Sequence, residues 1–181
     1  SDQDRTHRTS LSLIYELPFG RGRKFLGASG GVANALLGGW QYQAIFARQS
    51  GQPINFGNII FNGDVKNIPL PAGQRTPERW FNVDAGFDRD TRRQLAWNVR
   101  TFPLRFSGVR DHGANNWDMS LIKHTEVRER MRLQFRFEFL NALNHPWFAA
   151  PVSNPYQTTF GTISSERAYA RRVQAGIKLV Y

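Results

Sequence analysis

Cysteine is absent from the 181 residues, which excludes a disulfide framework and any thiolate metal site. Long hydrophobic runs are absent as well. No stretch approaches the roughly 20 apolar residues of a membrane-spanning helix. The four histidines, His7, His112, His124 and His145, have no metal-ligand spacing. GRGRKFLG at 20–27 lacks the GxGxxG spacing and the strand-to-helix setting of a nucleotide site, and reads as a basic turn. No Ser-His-Asp set presents itself, so a hydrolase is set aside. The expectation is a non-enzyme with no catalytic residue, no metal ligand and no cofactor. The opening, SDQDRTHRTS, has neither an initiator methionine nor a leader pattern, so the chain is read as a piece of something longer.

Apolar content is low at 40%, yet there are 14 Phe, 5 Trp and 5 Tyr. Few aliphatics with many aromatics suit a half-wetted β-sheet better than a packed helical core. A net charge of +10 asks for an anionic partner: nucleic acid, phosphorylated lipid or an acidic ligand.

Five segments alternate with a period of two, the signature of strands with unlike faces. RTSLSLIYELP sets Leu11, Leu13, Tyr15 and Leu17 against Ser10, Ser12 and Glu16, with Ile14 breaking the polar side. WQYQAIFARQ sets Trp40, Tyr42, Ala44 and Phe46 against Gln41, Gln43 and Gln49. NWDMSLIKH sets Trp117, Met119 and Leu121 against Asp118 and Ser120. RMRLQFRFEFL is the clearest, with Met131, Leu133, Phe135, Phe137 and Phe139 against Arg132, Gln134, Arg136 and Glu138. VQAGIKLVY sets Val173, Ala175, Ile177, Leu179 and Tyr181 against Gln174, Gly176, Lys178 and Val180, a mostly polar side that Arg172 begins just before it. Only VANALLGG at 32–39 has room for a helical turn.

The connections are unequal. Short ones at 18–38 and 125–129 contrast with long ones at 51–115 and 145–168, which carry most of the Pro, Asn and Asp. Short turns at one end and long loops at the other are the asymmetry of an outer-membrane β-barrel. The expected fold is therefore all-β: an antiparallel meander of about five strands, an open segment of a large transmembrane barrel. The long loops are expected outside the cell and the short turns in the periplasm. A soluble sandwich also alternates, but it does not account for the loop asymmetry.

On that reading the apolar face meets lipid and the polar face a watery lumen. The lumen-facing candidates are Gln41, Gln43, Asp118, Ser120, Arg132, Gln134, Arg136, Glu138, Arg172 and Lys178. Glu16 and Glu138 are expected to pair with arginines across the lumen. The interface aromatics are Tyr15, Trp40, Tyr42 and Trp117, whose rings suit a half-wet setting. Arg48 and Lys123 fall on the lipid-facing parity and are expected at strand ends, Arg48 toward lipopolysaccharide phosphates and Lys123 snorkelling. His145 is read as a loop-capping residue.

QAGIKLVY resembles the C-terminal assembly signal of outer-membrane proteins, in which Gln174, Gly176, Leu179 and Tyr181 occupy the matching positions. The resemblance implies recognition by the barrel-assembly machinery through strand addition. Four blocks widen it: DRTHRTSLSLIYELPFGRGRKFL, LLGGWQYQAIFARQSGQPINF, NNWDMSLIKHTEVRERMRLQFRFEFLNALNHPWF and FGTISSERAYARRVQAGIKLVY. Together they resemble the C-terminal barrel region of TonB-dependent receptors, in particular the Oar-like group with an N-terminal carboxypeptidase-regulatory-like domain. That family implies a Gram-negative outer-membrane location and a 22-stranded barrel with a plug. It also implies energy from the TonB system through the plug, and uptake of a scarce ligand that these residues do not identify. The expected partners are outer-membrane lipid and lipopolysaccharide, the assembly machinery, TonB and that ligand, but not nucleic acid. The competing function is a soluble basic β-domain that binds nucleic acid or polysaccharide. Such a domain would mix arginine with aromatics on one face, whereas 130–140 separates them.

Overall fold

A computed structural model of the chain describes residues 4–28, 30–93, 102–104, 106–128, 131–168 and 170–181. The chain divides into two compact units. One is Thr9–Arg48, Asn115–His145 and Tyr169–Tyr181; the other is Ser1–Arg8, Gln49–Ala114 and Pro146–Ala168.

The first unit is a five-stranded sheet. Its strands are β1 (Arg8–Glu16), β2 (Trp40–Gln49), β5 (Ala114–Arg128), β6 (Met131–Leu140) and β7 (Arg172–Val180). They lie in the order β1-β2-β5-β6-β7, the meander expected from the alternation. β5–β6 and β6–β7 are antiparallel. The bonds from Leu17 N to Trp40 O and from Ser50 N to His7 O give β1 and β2 the same relation. β1 and β7 form the two edges, and every residue of both is exposed. Antiparallel order puts the β1–β2 and β5–β6 connections at one end of the sheet and the departures into 49–114 and 146–168 at the other.

The strand bounds depart from the expected connections at both ends of β5, since Ala114 and Asn115 of the expected 51–115 loop already belong to it. Thr125–Arg128 continue β5 rather than turning, because Thr125 and Glu126 still find partners in Leu133 and Arg132. Residue 129 of the expected 125–129 turn lies outside the described residues. The 18–38 connection holds α1 (Gly31–Leu37), where VANALLGG suggested a helical turn. Gly38 closes the helix, its N–H donating to Asn34 O. Gly39 follows at φ +71°, and a Cβ there would lie 2.3 Å from His124 O, so only glycine lets the two backbones approach.

The second unit is built from the long segments, which are irregular yet packed. Its regular structure is a two-stranded antiparallel pair, β3 (Pro53–Ile54) with β4 (Phe106–Arg110), plus 3₁₀ turns at Val65–Asn67 and Ala72–Gln74. Its core is aromatic. Phe56, Phe81, Phe87, Phe102 and Phe160 are buried together with Ile54, Ile59, Ile68 and Val109. Several of their rings meet edge-on, with centroids 5.2 Å apart for Phe56–Phe81 and 5.0 Å for Phe87–Phe160, while Phe56 and Phe87 stack; the ring quadrupole favours both arrangements. Polar clasps close the unit. Buried Asp111 accepts from Gln52 N at 2.6 Å and pairs with Arg167 at 2.8 Å, which ties 49–114 to 146–168. Trp80 Nε1 donates to Arg110 O at 2.7 Å. The composition pointed to aromatics serving the sheet. In fact eight of the 14 Phe (56, 61, 81, 87, 102, 106, 148 and 160) belong to this loop unit.

Phe81 is fully buried. Phe81→Ala should cost about 3–5 kcal/mol, and amide hydrogen exchange should show the loss across the loop unit and not in β5–β6. His112 gives this unit a pH response. Its ring sits 5.8 Å from Trp80 and 5.1 Å from Phe148. Burial pushes its pKa below the ordinary 6.5, against smaller opposing effects of the Gly113 backbone and Asp111. The folded unit therefore binds fewer protons than the unfolded chain. Its stabilising contribution is present above pH 6.5 and is lost as pH falls through the folded value. Corrected for the slower chemical exchange at lower pH, protection of the loop unit should fall from pH 7 to pH 5, and His112→Gln should flatten that dependence.

Candidate functional site

Directly opposed residues in an antiparallel sheet share a face, so the register assigns the faces of β5, β6 and β7. One face carries the rows Met119–Phe139–Val173, Leu121–Phe137–Ala175, Lys123–Phe135–Ile177 and Thr125–Leu133–Leu179. The other carries Ser120–Glu138–Gln174, Ile122–Arg136–Gly176, His124–Gln134–Lys178 and Glu126–Arg132–Val180. The first is apolar with one lysine. The second is polar with one buried isoleucine, Ile122. Phe137 and Phe139 are exposed on the apolar face rather than packed in a closed interior.

The polar face brings together six of the ten lumen-facing candidates, and Gln174 with them. Ser120, Arg132, Gln134, Arg136, Glu138, Gln174 and Lys178 share it. Arg132 approaches Glu126 at 3.7 Å, Arg136 approaches Glu138 at 3.4 Å, and Gln174 donates to Glu138. Exposed pairs of this kind contribute about 0–1 kcal/mol, so this face is a chemical surface rather than a source of stability. The pairing across a lumen expected of Glu16 and Glu138 is not what the structure has. Each finds a nearer arginine, Glu16 bonding Arg23 at 2.7 Å and Glu138 its same-strand neighbour Arg136. Residues i and i+2 of a strand already share a face, so no cross-sheet reach is needed.

Gln43 Nε2 reaches Gln41 Oε1 at 3.4 Å along β2. Asp118 Oδ1 accepts from Asn141 N at 2.9 Å and so closes the turn after β6. Arg172 begins the β7 edge opposite Leu140. Gly176 and Leu179 pair with Arg136 and Leu133, while Tyr181 lies just past β7 and is 95% exposed. Tyr15 stands on the β1 edge; Trp40 and Tyr42 are half-buried in β2; Trp117 packs its ring 4.6 Å from Phe46. The capping assigned to His145 belongs instead to Asn141. Its Oδ1 accepts from His145 N at 3.0 Å and its Nδ2 donates to His145 O at 3.1 Å, and φ +50° fits asparagine better than most residues. An uncharged cavity of about 430 Å³ opens in the loop unit, lined by Asn55, Phe56, Asn58, Ser153, Asn154 and Tyr156 among others.

Lys123 overturns its expected place. It is not at a strand end but inside β5, opposite Phe135, and only 7% exposed. It does not snorkel. Nζ donates to Gly38 O at 2.6 Å and lies 5.3 Å from the centre of the Trp40 ring. Trp40 Nε1 in turn donates to Leu36 O at 3.0 Å. A carbonyl and a ring face thus replace water around a charge on the apolar side. The sequence held a signal for this arrangement. Lysine interrupts the Trp117-Met119-Leu121 parity, and the Gly38-Gly39 pair leaves a carbonyl open to close approach. Lys123→Met would keep the apolar volume and strand that carbonyl. The unfolding midpoint in detergent should fall by the equivalent of about 1–3 kcal/mol, with faster exchange at the end of α1.

Comparison with known proteins adds one finding. The family model described as "Outer membrane beta barrel domain" matches residues 1–174. Neither the curated proteins nor the solved structures gave a match. Alternating faces, exposed phenylalanines on one side, a continuous antiparallel meander and the family match converge: the chain belongs to the outer membrane beta barrel domain family, and its place is the outer membrane.

Proposed function

We propose that the chain contributes to a TonB-dependent receptor of the Oar-like type, which imports a scarce ligand across the outer membrane. The observation that carries this reading is the pairing of a charged, hydrogen-bonding sheet face with long connections that fold into a unit of their own. A plain structural barrel needs only short connections. A receptor needs a shaped outer surface and a wet inner wall. In this arrangement Gln41, Gln43, Ser120, Arg132, Gln134, Arg136, Glu138 and Lys178 line the lumen, and the loop unit meets the ligand outside. The partners are membrane lipid and lipopolysaccharide, the assembly machinery, the TonB system through a plug, and the imported solute. Binding of nucleic acid is disfavoured, because β6 puts its arginines and its phenylalanines on opposite faces.

Two measurements test the proposal. Because the chain has no cysteine, single cysteines report sidedness cleanly. Gln134→Cys should react with a hydrophilic maleimide, and Phe137→Cys only with a lipid-soluble one; the reverse pattern would refute the lumen assignment. For transport, medium depletion is compared among cells with the natural full-length protein, without it, and with energy coupling abolished. Depletion of a solute should require both the protein and the coupling. Depletion that persists in uncoupled cells would mark a passive pore.

A further inference from the structure

The β1–β2 connection is built unlike a turn that faces only water. Phe25, Leu26, Val32, Leu36 and Leu37 are all exposed, Val32 at 77% and Leu36 at 64%. Single exposed apolar residues are ordinary, but a cluster within one short connection marks a contact surface. Arg21, Arg23 and Lys24 are interleaved with them. Lys24 Nζ lies 5.5 Å from the centre of the Phe25 ring, a cation over an aromatic face.

The connection is fastened to the sheet. Trp40 holds Leu36 O and Lys123 holds Gly38 O. Both donors belong to strands of the sheet, so the end of α1 is held against it while Leu36 and Leu37 stay exposed. Next to it opens a cavity of about 520 Å³, lined by Arg21, Arg23, Asn34, His124, Glu126 and Arg132 among others. Arg23 is engaged by Glu16, and Arg132 approaches Glu126. The Arg21 guanidinium has no partner among the described residues, and the Arg21 backbone is held by Asn34 Oδ1 at 2.6 Å. A fixed backbone thus presents a free cation to a polar cavity at the short-turn end of the sheet, and the exposed apolar side chains of α1 belong to the same connection.

We propose that this connection is a lipid anchor that takes one anionic phospholipid, its phosphate at Arg21 and Lys24 and its acyl chains over Val32, Leu36 and Leu37. The two halves of the surface select that occupant together. A free phosphate would leave the apolar side chains uncovered, and a zwitterionic lipid would leave the cationic excess unpaired. Basic groups set beside an apolar helical face are the combination that anionic bilayer surfaces retain. Anchoring here supports the closure of the sheet's short-turn end, because Gly38 O, directly after α1, is the carbonyl that accepts from Lys123. The site rests on family membership. Only its assignment to the periplasmic leaflet rests on the orientation proposed above.

The test uses the natural full-length polypeptide in nanodiscs of phosphatidylethanolamine alone, mixed with phosphatidylglycerol, or mixed with phosphatidylglycerol and lipopolysaccharide. Native mass spectrometry on gentle delipidation should show phosphatidylglycerol retained in preference to phosphatidylethanolamine. Arg21→Gln with Lys24→Gln should reduce that retention roughly ten-fold or more, with heat-modifiability on gels unchanged. In parallel, Leu36→Cys carrying an environment-sensitive dye should be quenched by brominated lipid. That second readout decides the matter even if the charge variant fails to fold. Equal retention of the two lipids, or a dye at Leu36 that stays in water, overturns the proposal. Retention of lipopolysaccharide instead of phosphatidylglycerol overturns it too and reverses the orientation, while depletion of a solute by energised cells would still stand.

Discussion

The register of β6 between β5 and β7 is the constraint on which the sheet depends. Side chains alternate with a period of two, so a slip of one residue turns every one of them over. In the observed register Phe135 and Phe139 face Ile177 and Val173, while Gln134 and Glu138 face Lys178 and Gln174. A one-residue slip would carry Arg132 and Arg136 to the side of the phenylalanines. Arginine against the middle of a bilayer costs about 2–4 kcal/mol. Two arginines, with Glu138 beside them and the phenylalanines sent into water, would exhaust the 5–15 kcal/mol that a domain commonly has. The pattern of 130–140 thus determines one register rather than merely favouring strand.

Lys123 shows what that constraint demands of an exception. Register fixes it on the apolar face, opposite Phe135, and inside a strand it cannot reach an aqueous end. The chain brings partners to it instead. Gly39 lets the β1–β2 connection come within backbone distance of β5, as the His124 N to Gly39 O bond of 2.8 Å shows, and Gly38 packs back on Asn34 of α1. Gly38 O then meets the ammonium and Trp40 covers it. The helix, the glycine pair and the tryptophan, which look like separate features of the sequence, form one solution to one misplaced charge.

The sheet was legible because its strands obey a single period. WQYQAIFARQ coincides with β2, and RMRLQFRFEFL matches β6 to within a residue at its start. The ends of β5 were not legible, since TEVR carries no apolar alternation and is held as strand by pairing with Leu133 and Arg132 rather than by its own pattern. The loop unit was illegible for a different reason. Phe56, Phe81, Phe87 and Phe160 are drawn from segments roughly a hundred residues apart in total span and follow no repeat, so only the fold collects them. Asp111 and Arg167 likewise reveal their pairing only in three dimensions. Of the candidate site, parity gave the faces, but local bonding partners, such as Arg23 for Glu16 and Asn141 for Asp118, depended on turns that parity does not describe.

The two edges decide what the sheet needs from its surroundings. β1 and β7 are each nine residues long and exposed throughout. In hydrocarbon an unpaired backbone donor or acceptor costs several kcal/mol, so an open edge of this length does not persist there. Lysines and prolines that would blunt an edge in water are scarce here: β1 has neither, and β7 has Lys178 alone. Both edges are therefore made to be paired. β1 and β7 cannot close on each other as a five-stranded ring, because the smallest barrels of this kind use about eight strands. More strands must join on both sides, from elsewhere in the same polypeptide or from further copies. Leu11, Leu13 and Tyr15 on one edge and Val173, Ile177 and Leu179 on the other require those neighbours to continue the same apolar parity.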